Sequence, residues 1–104
     1  MLYEEAINSL VHQIIRLVYP QKIILFGSAA RAEMDKDSDI DLLVVINKDI
    51  HKRRTEQMLY QNIEAVKIPY DILVTTEKTL EKHKDNIGLI YKTILDEGKV
   101  IYEA

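Results

Sequence analysis

The chain has no cysteine. Disulfides, thiol catalysis and thiolate zinc sites are excluded on that ground. Its histidines, His12, His51 and His83, are scattered and lack metal-ligand spacing. No apolar run approaches the ~20 residues that a bilayer span needs, so no membrane partner is expected. The first residues carry Glu4 and Glu5 and lack a basic segment followed by a cleavage site. The expected compartment is therefore the cytoplasm. Positive charge is not in excess: Lys and Arg number 14 against 17 Asp and Glu, a net charge of -3. Nucleic-acid binding draws on Lys and Arg displacing counterions from phosphate, so this balance disfavours it. A substrate phosphate stays open, because a metal ion can supply the missing charge. No repeat, low-complexity tract or linker interrupts the sequence.

What is present points to one folded domain over residues 1–104, with 47% hydrophobic residues and room for a real core. Ala6, Leu10, Ile14 and Val18, with Ile7, Val11 and Ile15, recur at three- and four-residue steps. They predict a helix over Leu2 to Val18, ended by Tyr19-Pro20 because a residue before proline is driven out of the helical region. Ile23 to Phe26 predicts a strand and Gly27 breaks it. Ser28 can cap a short alanine-rich helix through Met34, followed by a polar loop, Asp35 to Ser38. Asp39 to Ile46 predicts a second strand, apolar on both faces from Leu42 onward and so central to a covered sheet. A helix is expected over His51 to Val66, with Met58, Leu59, Ile63 and Val66 inward and Lys52, Arg53, Arg54 and Glu56 outward. Tyr70 to Thr75 predicts a third strand, with Pro69 tolerated at its start. Glu77 to Lys84 and Ile87 to Asp96 predict helical turns, the second closed by Gly98. Val100 to Tyr102 predicts a short edge strand.

The chemistry concentrates between Lys22 and Ile46. An apolar strand ends in Gly27-Ser28, and Asp39-Ile40-Asp41 then leads into Leu42-Leu43-Val44-Val45. Residues i and i+2 of a strand point the same way, so Asp39 and Asp41 project together about 7 Å apart, at ~3.3 Å per residue. Two carboxylates that close repel, and one tends to take up a proton. A divalent cation removes the conflict, and oxygen-only ligation suits Mg2+ or Mn2+. If the two strands are antiparallel neighbours, the turn and the acids share one rim of the sheet. Gly27 lets backbone approach a ligand, and amides after Ser28 favour phosphate. Asp71 opens the third strand. The segment Asn47 to Pro69 is long enough for a parallel crossover, which brings Asp71 to the same rim. Three acids there suit two-metal phosphoryl chemistry. Asp71 also has a plainer reading as a capping acid at a strand start.

Gly27-Ser28, the spaced Asp39 and Asp41, and the later strand acid Asp71 resemble the nucleotidyltransferase fold of the polymerase-beta superfamily. The run S-A-A-R-A, the run S-D-I-D-L-L-V and the closing I-Y-K-T-I-L-D-E-G-K-V-I-Y-E are most similar to the minimal nucleotidyltransferases. The resemblance spans nearly the whole chain. It implies an α/β (α+β) fold, a small mixed β-sheet flanked by helices. It implies that Gly27 and Ser28 hold the triphosphate of ATP, that Asp39, Asp41 and Asp71 bind Mg2+, and that Asp71 helps activate the attacking hydroxyl. Members of this group are often antitoxins that transfer AMP to a tyrosine of a HEPN-domain toxin ribonuclease. A HEPN toxin is therefore the implied partner, in a hetero-oligomer. This chain lacks the toxin's own Arg-x4–6-His motif. One departure is Ala32, where the family often has glycine; the added methyl bears on the helix turn and on nucleotide access.

Two further readings stay open: a non-catalytic antitoxin that neutralises by binding, and a transferase acting on a small molecule or an RNA end. Arg31 either touches a phosphate or pairs with Glu33 or Asp35. Lys52-Arg53-Arg54 reads as a solvated helix face or partner surface rather than a nucleic-acid patch. The six tyrosines, Tyr60 and Tyr70 among them, read as core or rim.

Overall fold

A computed structural model describes residues 1–28, 30, 39–86 and 90–104. Helix α1 (Tyr3–Val18) ends where Tyr19 turns left-handed, at φ 48. Strand β1 (Lys22–Phe26) pairs antiparallel with β2 (Ile40–Ile46), so that Phe26 faces Asp41. Helix α2 (Lys52–Asn62) carries the chain across to β3 (Tyr70–Thr76), which runs parallel to β2. Helices α3 (Glu77–His83) and α4 (Ile90–Glu97) follow, and β4 (Lys99–Glu103) pairs antiparallel with β1. The sheet is mixed, with order β3-β2-β1-β4.

Alternation along β2 explains why both faces are covered. Ile40, Leu42, Val44 and Ile46 pack with Leu10, Ile14 and Leu59 of α1 and α2. Leu43 and Val45 pack with Leu80 and Ile94 of α3 and α4. Successive strand residues point to opposite faces, so a two-faced apolar strand has to lie inside, as its composition predicts. Asp41 shares the face of Leu43 and Val45, and the parallel register puts Asp71 on that face too.

Two expectations are corrected. Helix α2 stops at Asn62 instead of Val66. Ile63 is extended, Ala65 sits at φ 61, and Glu64 is tied to α1. The Glu64 N–H donates to Gln13 Oε1 and Gln13 Nε2 donates to the Glu64 carbonyl, both at 2.8 Å. Two good hydrogen bonds to α1 and the extended backbone required before Pro69 outweigh helical propensity there. Glu56 is not on a solvated face, since it accepts the Val74 N–H at 2.8 Å. Ile90 and Leu95 are exposed, so α4 buries Ile94 but not its flanking apolar residues. Gly98 closes α4 as expected, its N–H donating to the Ile94 carbonyl at 2.7 Å.

Candidate active site

The rim is built by strand polarity. Since β1 and β2 are antiparallel, the turn after β1 lies beside the start of β2. Since β2 and β3 are parallel, their starts lie together, and Asp41 stands directly beside Asp71 in register. The Ile40 N–H donates to the Pro69 carbonyl at 3.0 Å, which extends the pairing to the mouths of both strands. Gly27 adopts φ 72, a left-handed conformation that favours glycine. A Cβ built there would overlap Asp41 Oδ2. Turn and carboxylate are thus in direct contact, as the shared rim requires.

Asp41 and Asp71 line one cavity of about 260 Å³, whose walls include Phe26, Tyr60, Leu73 and Ile90. Burial raises the carboxyl of Asp41 above its ordinary value, and the negative charges of Asp71 and then Asp39 push it further the same way. The neighbour that counts most for Asp41 is therefore Asp71, across the strand pair, ahead of Asp39 two residues back. Asp39 precedes β2, is exposed, and stands outside the cavity lining. Among the described residues, no three His, Cys, Asp or Glu are gathered closely enough to hold a metal ion by themselves. The carboxylates come as a facing pair, with the third at the strand mouth.

Ser28 is half-buried in the turn after β1, and Ala30 beyond it is buried. Arg31, Ala32, Glu33 and the rest of the anticipated helix and loop lie outside the described residues. A larger cavity, about 610 Å³, is at the other end of the sheet, lined by Lys22, Val45, Leu80 and Lys84 among others. Its charges are mixed, and Lys84 pairs there with Glu81 at 2.8 Å. It lacks the converging like charges that mark the Asp41 rim.

Tyr60 was not singled out by sequence. It sits on α2, stacks on Tyr70 with ring centroids 5.8 Å apart, and accepts the Ile72 N–H at 2.7 Å. Burial raises its phenol above the ordinary value; the Ile72 N–H opposes this, and the charge of Asp71 reinforces it. The only signal in the sequence is the i, i+4 spacing of Glu56 and Tyr60, which places them on one side of a helix.

Two proteins of Methanocaldococcus jannaschii, each named as a putative protein adenylyltransferase, are similar to this chain. One, MJ0604, is 32% identical over 79% of the chain and 78% of its own length. The other, MJ0141, is 33% identical over 52% of the chain and 54% of its own length, so the match spans about half of that relative. A chain from a crystal structure of a toxin-antitoxin with AMP-PNP superposes with a TM-score of 0.58, over 99% of this chain and 75% of that one, at 21% identity. A crystal structure named as a putative nucleotidyltransferase from Sulfolobus solfataricus gives 0.50, over 94% of this chain and 86% of that one, at 20% identity. At those identities the likeness speaks for the fold. Residues 7–101 match the family described as "Nucleotidyltransferase domain", and with that match across the strands and the rim they build, the chain belongs to the nucleotidyltransferase domain family.

Proposed function

We propose that this chain transfers AMP from ATP to a hydroxyl group, most readily a tyrosine hydroxyl of a partner protein, and that the partner is a toxin of the HEPN class. The observation that carries the reading is the facing pair Asp41 and Asp71 beside the Gly27 turn. Similarity to proteins named as adenylyltransferases supports a protein acceptor. The shared fold with a chain of a toxin-antitoxin supports a toxin as the partner, and the HEPN class rests on the resemblance of the sequence to the minimal nucleotidyltransferases.

In this reading the Gly27-Ser28 turn receives the triphosphate. Asp71, more exposed than Asp41, faces the incoming acceptor and takes its proton. The acceptor oxygen bonds to the α-phosphorus, the bond from that phosphorus to the bridging oxygen breaks, and pyrophosphate leaves. The donor set fits a hard dication: the oxygens are carboxylate, and the charges acting on Asp41 are all negative. Asp41 and Asp71 would hold such an ion, with Asp39 as a further donor. Mg2+ bound there would offset carboxylate repulsion and the charge of the phosphates.

The test incubates the protein with labelled ATP, Mg2+ and a purified HEPN-type toxin, and follows the toxin's mass. Gain of one or more AMP units, lost in Asp39→Asn and Asp41→Asn, is the expected result. Full neutralisation of the toxin by both variants without any mass gain would sink the transferase reading and leave a binding antitoxin.

A further inference from the structure

Strand β3 is an edge of the sheet, and two of its outward N–H groups are met by side chains of α2. Ile72 N–H donates to Tyr60 Oη at 2.7 Å, and Val74 N–H donates to Glu56 Oε2 at 2.8 Å. The match is geometric. Four residues of helix rise about 6 Å and two residues of strand about 6.6 Å, so side chains at i and i+4 can meet alternate strand amides. One face of α2 thus acts as a substitute strand along β3.

The two hydrogen bonds serve alternate amides of one strand edge, one on a phenol and the other on a carboxylate, and they differ in what they adjoin. The N–H of Ile72 belongs to the peptide plane whose other half is the carbonyl of Asp71. Holding that plane fixes the ψ of Asp71 and hence the direction of its side chain. Tyr60 also stacks on Tyr70, so one side chain grips both sequence neighbours of Asp71. Asp71 is only the second residue of β3, where ladder support is thinnest. Val74 lies three residues further in, and its own side chain is buried in the core. Ile72 is buried in that same core, so what separates the two hydrogen bonds is that only the Ile72 amide adjoins Asp71.

We infer that Tyr60 is a positioning residue: it orients the Asp71 carboxylate through the backbone and side chain on either side of it, whereas Glu56 only seals the strand edge. The inference rests on the proposed role of Asp71. Tyr60→Phe keeps the ring and loses the acceptor. Glu56→Ala removes the equivalent acceptor away from the rim and serves as the internal control.

The experiment measures three quantities in the wild type and both variants. These are the melting temperature, the affinity for Mn2+ in the presence of α,β-methylene-ATP (which cannot release pyrophosphate), and AMP transfer split into kcat and KM. Both variants should lose a similar few degrees of melting temperature. Tyr60→Phe should also weaken Mn2+ binding and lower kcat by about ten-fold with KM for ATP little changed, the scale typical of groups that orient a metal ligand. Glu56→Ala should leave Mn2+ affinity and kcat near wild type. Equal effects of the two variants on Mn2+ affinity and kcat, or none from Tyr60→Phe, would overturn the inference while wild-type transfer stands. A wild type that neither binds Mn2+ nor transfers AMP would remove the underlying reading, and this inference with it. If Tyr60→Phe does not fold, 3,5-difluorotyrosine at position 60, assayed in mildly acidic buffer where the fluorinated phenol stays protonated, keeps the shape and weakens the oxygen as an acceptor. It should shift kcat and Mn2+ affinity in the same direction, and no shift would overturn the inference.

Discussion

Gly27 and Asp41 occupy adjoining space: a Cβ on Gly27 would overlap Oδ2 of Asp41 and stand 3.3 Å from its Cγ. The backbone at Gly27, φ 72, also disfavours any side chain. Gly27→Ala therefore strains the turn and displaces the carboxylate together. The left-handed conformation alone costs roughly 1–2 kcal/mol in a non-glycine residue. The expected outcome is a melting temperature lower by several degrees and loss of AMP transfer, with α1 and the sheet retained by circular dichroism.

Removing the charge of Asp41 should separate stability from function. Its carboxyl is raised above the ordinary value by burial, Asp71 and Asp39. An acid raised on folding costs stability once ionised. That cost sets in as pH rises through the ordinary carboxylate range and is complete above the raised value. Asp41→Asn should therefore melt a few degrees higher than the wild type at neutral pH in chelator-treated buffer. The gap should close as the solution is acidified below the ordinary carboxylate range, and the variant should be inactive. A variant that melts lower at neutral pH would show that the carboxylate is needed for the fold.

ATP with Mg2+ should raise the melting temperature of the wild type, since a ligand that binds only the folded chain stabilises it by about 2.7 kcal/mol at 100 times its dissociation constant. The shift should shrink sharply in Asp41→Asn and in Asp71→Asn, and when Mg2+ is withheld. An undiminished shift in Asp71→Asn would place the metal and nucleotide elsewhere.

Thr75 tests the fold away from the rim. It is fully buried opposite Val45, and its Oγ1 finds no hydrogen-bond partner among the described residues. Leaving a hydroxyl unpaired in the interior costs about 1–3 kcal/mol, and valine has nearly the same shape. Thr75→Val should raise the melting temperature by several degrees and leave transfer unchanged. Differential scanning calorimetry checks the first part and the mass assay the second.

The strands were legible because each is a short apolar run with a clear break, and β2 announced its central place by being apolar on both faces. The parallel run of β3 followed from a helix-length link after β2, whereas the antiparallel pairing of β1 and β2 entered as a condition, which the register meets. What the chain order could not convey was lateral. Asp41 looked paired with Asp39, two residues away, whereas register makes Asp71 its stronger neighbour. Glu56 looked like a surface residue and Tyr60 like one more core or rim tyrosine, because the amides they serve belong to a strand more than ten residues further on. The end of α2 was set by Gln13, a polar residue of α1 whose only cue was its chemistry. Each of these depends on contacts distant in sequence, where local pattern carries no information.

The parallel register of β2 and β3 also sets when the site comes into being. A chain that has folded only through β2 already holds Gly27 and Asp41, since the β1–β2 pairing is antiparallel and local. Asp71 joins them only after α2 has formed and the crossover has closed, a long-range step that is slow relative to hairpin formation. The carboxylate pair therefore exists only once the crossover is closed. On the proposed function, a chain cut before β3 lacks one acid of the site, so nucleotide binding would report the finished topology and not merely its parts.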